Sequence, residues 1–114
     1  MPAFTIYHNP RCSKSRQTLE LLRSHGIEPT IVEYLKDPPN IAALRGLSKK
    51  LGLAPEEMMR KKELAKLELP EDLNPQQCLR TMADHPQTIE RPIVVCGNRA
   101  RVGRPPETVL ELLP

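Results

Sequence analysis

Apolar residues recur along this chain at two spacings, every second residue and every third to fourth, with prolines or glycines where one spacing gives way to the other. Over residues 3–7, Phe4 and Ile6 alternate with Thr5 and Tyr7, the pattern of a short strand with one apolar face. Pro10 ends that strand. From Ser13 onward Leu19, Leu22 and then Ile27 fall at helical spacing, Lys14, Arg16, Gln17, Glu20 and Arg23 take the other face, and Gly26 supplies the stop. Residues 29–35 return to a strand pattern through Ile31, Val32 and Tyr34, closed by Asp37-Pro38-Pro39. Two strands joined by a helix make a βαβ unit, whose crossover is right-handed.

The second half alternates in the same way. Asn40 stands where it can cap a helix carrying Leu44, Leu47 and Leu51 in one stripe, stopped at Gly52. Pro55 opens a short helical turn reaching Met59. Residues 61–73 are charged and broken by Pro70, which predicts a helix end followed by a surface loop. Asn74-Pro75-Gln76-Gln77 combines a capping side chain, a proline at the first helical position and a glutamine that can bond back, so a helix starts there and ends near Asp84-His85-Pro86. Residues 89–95 hold a third strand. Its segment Ile93-Val94-Val95 is continuously apolar, as in a central strand covered on both faces. A turn at Gly97-Asn98 leads to a fourth strand at 100–102, and Pro105-Pro106-Glu107 opens a last helix with Val109, Leu110 and Leu113 inward.

A chain of 114 residues predicts one domain with one core, and with no Trp and a single Phe that core is built from Leu, Ile, Val, Met and Ala. There are no repeats, low-complexity tracts or linkers. The net charge of +3 is spread among mixed acids and bases, and with aromatics at 3% there is little for base stacking, so no nucleic-acid partner is expected. No apolar run approaches the ~20 residues of a membrane span and no signal-type N-terminus is present, so no membrane association is expected either. Cys12, Cys78 and Cys96 have no paired spacing. Neither a disulfide framework nor a metal site is suggested, and a reducing, cytoplasmic setting is expected.

Cys12 is the exception to the usual expectation that a lone cysteine is inert core. Arg11, Lys14 and Arg16 lie close by in sequence, Ser13 and Ser15 follow it, and the helix that stops at Gly26 begins there. Unpaired N–H groups and partial positive charge at a helix start stabilise a thiolate, lowering a cysteine pKa from about 8.5 to roughly 3.5–7.5 in such sites. His8 could add charge if protonated, or act as a proton shuttle. Ser15, three residues on, stands where a two-thiol oxidoreductase has its second cysteine. Its hydroxyl can hydrogen-bond the thiolate but cannot resolve a disulfide. Asn9 reads as a turn residue, and His25 and His85 as helix-end residues.

Tyr7-His8-Asn9-Pro10-x-Cys12-x-x-Ser15-Arg16-x-Thr18-Leu19, Met58-Met59-Arg60-Lys61, Arg91-Pro92-Ile93-Val94-Val95 and Arg104-Pro105-x-Glu107 occur in that order over nearly the whole chain. Together they resemble the glutathione- and glutaredoxin-dependent arsenate reductases. The resemblance implies an α/β, thioredoxin-like fold, βαβ then ββα, with a mixed four-stranded sheet and an inserted helical segment at about 38–86. It implies a cis peptide bond before Pro92, against the ordinary preference for trans. The implied catalytic residues are Cys12, His8 and Ser15, with Arg60, Arg91 and Arg104 holding the oxyanion. Arginine suits that task because its planar, permanently charged fork matches an oxyanion bidentately.

In the implied scheme Cys12 attacks arsenate, glutathione displaces the adduct with release of arsenite, and glutaredoxin reduces the mixed disulfide. Glutathione is then a co-substrate, no cofactor is bound, the chain is expected to act as a monomer, and its role is arsenical resistance. One departure stands out: Cys12-Ser13-Lys14-Ser15 replaces the family's Cys-Gly-Thr-Ser. The alternative is a glutathione-binding redox or interaction protein of the same fold, non-catalytic or acting on a different substrate. A phosphatase-like reductase needs an arginine six residues after the cysteine, where Thr18 stands. A redox-sensing transcription regulator of similar fold needs a second cysteine where Ser15 stands.

Overall fold

A computed structural model describes residues 3–70 and 72–113, and its contacts divide into two units: residues up to Asp37 together with those from Arg91 onward, and Pro38–Glu90. The first unit is built on four strands, β1 (Phe4–Tyr7), β2 (Thr30–Val32), β3 (Ile93–Cys96) and β4 (Arg99–Val102), in the sheet order β2-β1-β3-β4. β1 pairs in parallel with β2, Ile6 opposite Ile31, and antiparallel with β3, Ile6 opposite Val94. β4 returns antiparallel beside β3 with Val94 opposite Arg101. This is the mixed sheet of a thioredoxin-like α/β fold.

Helix α1 (Ser13–Ser24) crosses from β1 to β2. Alternation puts Phe4, Ile6 and Val94 on one face of the sheet, where they form a buried cluster with Leu19 and Leu22 of α1 and with Val109 and Leu112 of the C-terminal segment. Ile27, Leu113 and Cys96 pack at its margin. Each large side chain so buried stabilises the fold by about 1.5–3 kcal/mol. The helix ends as its sequence expects, with Gly26 at φ 78° and the His25 N–H bonded to Leu22.

In the second unit, α2 (Ile41–Leu51) starts at Asn40, whose Oδ1 accepts the Ala43 N–H at 2.8 Å, and stops at Gly52 in the left-handed region. A 3₁₀ turn (Pro55–Met58) follows. Helix α4 (Pro75–Asp84) opens with both bonds of a capping box, Gln77 N–H to Asn74 Oδ1 and Asn74 N–H to Gln77 Oε1, each 2.8 Å. Leu44, Leu47, Met58, Leu79 and Met82 are buried here.

The structure departs from the sequence pattern at several elements. β2 covers three residues rather than 29–35, because the Glu33 carbonyl accepts the Lys36 and Asp37 N–H groups and turns the chain; Tyr34 is buried in that turn. β4 starts one residue early, at Arg99. A short helix, α3 (Lys61–Ala65), occupies the start of the expected loop 61–73, within which Glu71 lies outside the described residues. The last helix is a 3₁₀ segment (Pro106–Leu112), so its fully buried pair is Val109 and Leu112, three apart on a three-residue turn, with the expected Leu113 only partly buried and Leu110 outside the cluster. The Arg91–Pro92 bond is cis, as the resemblance implies, and so is Arg104–Pro105, which was not expected.

Candidate active site

Cys12 is the N-cap of α1. A turn delivers it: the Cys12 N–H bonds the Asn9 carbonyl at 3.0 Å, Asn9 Oδ1 accepts the Arg11 N–H at 3.0 Å, and Arg16 Nη1 reaches back to the Pro10 carbonyl at 2.9 Å. Its own carbonyl accepts the Arg16 N–H, so the first turn of helix runs directly out of the cysteine. The N–H groups of Lys14 and Ser15, at the second and third helical positions, stabilise negative charge on Sγ without reaching full capping geometry.

Two arginines add to this. Arg104 Nη2 lies 3.8 Å from Sγ, and its Nε donates to the Arg91 carbonyl at 2.8 Å, which fixes the guanidinium in place. The Arg91 guanidinium also acts on the sulfur. Partial burial is the largest single influence on the thiol and opposes ionisation; the Ser15 N–H, Arg91, the Lys14 N–H and Arg104 together outweigh it, so the pKa falls below its ordinary value. Cys78 goes the opposite way. It is buried, and desolvation followed by the Glu56 carboxylate pushes its pKa up.

Gly103 makes the Arg104 approach possible. A Cβ at position 103 would meet Thr18 Oγ1 at 2.6 Å and Pro92 Cγ at 2.9 Å, so only glycine lets the exit of β4 run against α1 and the Arg91-Pro92 segment. Its N–H bonds the Pro92 carbonyl at 2.9 Å. Nothing in the spacing of the sequence marks this contact, because Thr18, Pro92 and Gly103 meet only through tertiary structure.

Ser15 and His8 form a buried pair, Oγ to Nδ1 at 2.7 Å. The Ser15 hydroxyl therefore serves His8 rather than the thiolate, and it is the Ser15 backbone N–H that acts on Cys12. Oγ also accepts the Asn9 N–H at 3.0 Å, so the hydroxyl ties the cysteine turn to the imidazole. Burial, the leading influence, lowers the His8 pKa, with Glu33 raising it and Arg23 and Arg16 lowering it. At neutral pH His8 is a neutral hydrogen-bonding group rather than a cation.

Arg60 belongs to the second unit. Its backbone N–H bonds the Thr88 carbonyl at 2.7 Å beside the Met59–Ile89 bridge, and its guanidinium lies 3.5 Å from Glu63 and 4.0 Å from Glu90. These two carboxylates were not singled out by the sequence. Glu63 could have been, since it stands three residues into α3 from Arg60. Among the described residues no group of His, Cys, Asp and Glu is arranged to hold a metal, and no helix is long and apolar enough to cross a membrane.

A sequence model of the ArsC family matches residues 7–112. Over 112 residues the chain is 50% identical to the Escherichia coli K12 protein named uncharacterized protein YfgD, covering 95% of this chain and 94% of that one. It is 49% identical, with 95% and 97% coverage, to a Haemophilus influenzae protein named arsenate reductase. The solved structure of an arsenate reductase from Vibrio cholerae superposes with a TM-score of 0.89 at 47% identity, covering 98% of each chain. The matched span runs from the strand before the cysteine turn to the end of the C-terminal 3₁₀ segment, so it takes in the cysteine turn and all three motif arginines, and the chain belongs to the ArsC family.

Proposed function

We propose that this protein is an arsenate reductase that uses Cys12 as its nucleophile and glutathione and glutaredoxin as its reductants. The reading rests on one observation above all: a thiol at a helix N-cap position, with the Arg104 guanidinium 3.8 Å from its sulfur and its pKa lowered. A thiolate and an arsenate are both negative, and cationic donors at that spot offset their repulsion. Relatives at 43–49% identity are named arsenate reductase, which supports the reaction class.

In this reading the Cys12 thiolate forms an S–As bond and one As–O bond breaks, the oxygen leaving as water once protonated. A glutathione thiolate then attacks Sγ. The S–As pair stays with arsenic, which falls from As(V) to As(III) and departs as arsenite, while the two sulfurs become a mixed disulfide. A glutaredoxin thiolate takes the glutathione sulfur and returns Cys12 to its thiolate. Arg91 and Arg104 hold the oxyanion, and Arg60 is a third oxyanion residue by its place in the family motif. Such a cycle belongs in a reducing cytoplasm.

The experiment is a coupled assay with arsenate, glutathione, glutaredoxin and NADPH-driven glutathione reduction. Wild type is expected to produce arsenite and Cys12→Ser to produce none. A folded wild type that makes no arsenite rejects the enzyme reading and leaves a glutathione-binding protein of the same fold.

A further inference from the structure

A cleft of about 260 Å³ opens beside the cysteine turn, lined by His8, Pro10 and Arg11 on one side and by Glu33, Leu35 and Lys36 on the other. We infer that it is the binding subsite for glutathione, which rests on glutathione being the co-substrate proposed above.

The charges of the cleft are the complement of that ligand. Glutathione carries two carboxylates and one ammonium at neutral pH, and the cleft presents two cations, Arg11 and Lys36, and one carboxylate, Glu33. Lys36 Nζ pairs with Glu33 Oε1 at 3.6 Å, with the Lys36 side chain 80% exposed. An exposed pair of that kind contributes little and exchanges readily for a ligand carrying both charges. Arg11 makes no side-chain ion pair among the described residues, while its backbone is pinned by Asn9 Oδ1. Leu35 is 44% exposed, one of few large apolar side chains so open, and offers a surface for the ligand's methylene groups.

Position makes the same argument. The turn that lines the cleft is closed by the Cys12 N–H to Asn9 carbonyl bond, which holds the first and last Cα of the turn within about 7 Å. Pro10 and Arg11 of the cleft directly precede Cys12 in that turn, so a ligand seated there lies beside the segment that carries the thiol. A volume near the lower end of the ~300–1,000 Å³ usual for small-molecule sites suits such a ligand better than a nucleotide.

The test pairs a binding and a kinetic measurement on the full chain. S-methylglutathione, which cannot react, is titrated in NMR and is expected to shift the amides of Arg11, Glu33 and Lys36. Charge reversal in the Arg11→Glu/Lys36→Glu protein is expected to abolish those shifts and to raise the KM for glutathione about tenfold, more than the KM for arsenate. Glutathione ethyl ester, lacking the glycine carboxylate, is expected to bind wild type more weakly and the double variant no differently from glutathione. Shifts confined to residues outside the cleft, or an unchanged KM for glutathione in a folded double variant, overturn the inference and leave the reductase reading standing. Cleft shifts in a wild type that reduces no arsenate reject that reading and leave the subsite. If the double variant does not fold, Lys36→Gln carries the kinetic arm with a smaller expected rise, and an unchanged KM there counts against the inference.

Discussion

Arg104 is brought to the Cys12 sulfur by two constraints, the hydrogen bond of its Nε to the Arg91 carbonyl and the absence of a side chain at Gly103. Gly103→Ala is therefore expected to push the β4 exit away from Thr18 and raise the Cys12 pKa, read from the pH dependence of alkylation at that peptide. Gly46→Ala, where a Cβ meets nothing within 4 Å, is expected to leave it unchanged. An unaltered Cys12 profile in folded Gly103→Ala would show that the loop absorbs the methyl without moving Arg104. His8 supplies a second outcome. Its folded pKa lies below the unfolded value of about 6.5, so its contribution to stability is complete above that value and is lost as pH falls below it toward the folded pKa. Melting temperatures from pH 7.5 to 5 are expected to fall more steeply for wild type than for His8→Asn; parallel curves would remove His8 from the account. The thiol itself was legible in the sequence, because a basic helix start after a proline is a local signal. The arginines that act on it were not readable from spacing, only from resemblance, since Arg91 and Arg104 come to Cys12 across long stretches of chain.

Among the elements, those that announce themselves by capping chemistry came through the sequence with the least error. Asn40 and Asn74 both cap through the side-chain oxygen, and α4 carries both bonds of its box. Asn74→Ala removes one of those bonds directly and is expected to destabilise the protein by about 1 kcal/mol in urea unfolding at unchanged m-value, while Asn74→Asp is nearly neutral. A loss within error for Asn74→Ala would mean that the proline and the buried face of α4 carry the helix start alone. Helix α3 escaped notice for the converse reason. It has no buried residue and no side-chain cap, so neither an apolar stripe nor a cap residue marks it. The turn after β2 was misread because Tyr34 is buried as an element of irregular backbone, where burial has no period.

On the scale of the whole molecule the sheet order β2-β1-β3-β4 joins the two halves of the first unit across the entire second unit. Periodicity identifies strands but not their partners, so this order was not readable from the pattern; the resemblance implied only a mixed four-stranded sheet. The insertion between the halves is likewise visible in sequence as helices, with nothing local to say that it forms a unit of its own. The distribution of cysteines bears on the chemistry. Cys78 is buried with its pKa raised, Cys96 packs beside the core cluster, and Ser15 offers no thiol, so the second sulfur of the reaction is expected to come from outside the chain. The central claim is that Cys12 passes through a mixed disulfide with glutathione in step with arsenate reduction. Incubating the protein with arsenate and glutathione but no glutaredoxin, followed by intact-mass measurement and peptide mapping, tests it most directly. The account predicts one glutathione per chain, carried on the Cys12 peptide and formed only with arsenate present; an arsenate-dependent disulfide between Cys12 and Cys78 or Cys96, or glutathione on either of those residues instead, would contradict it.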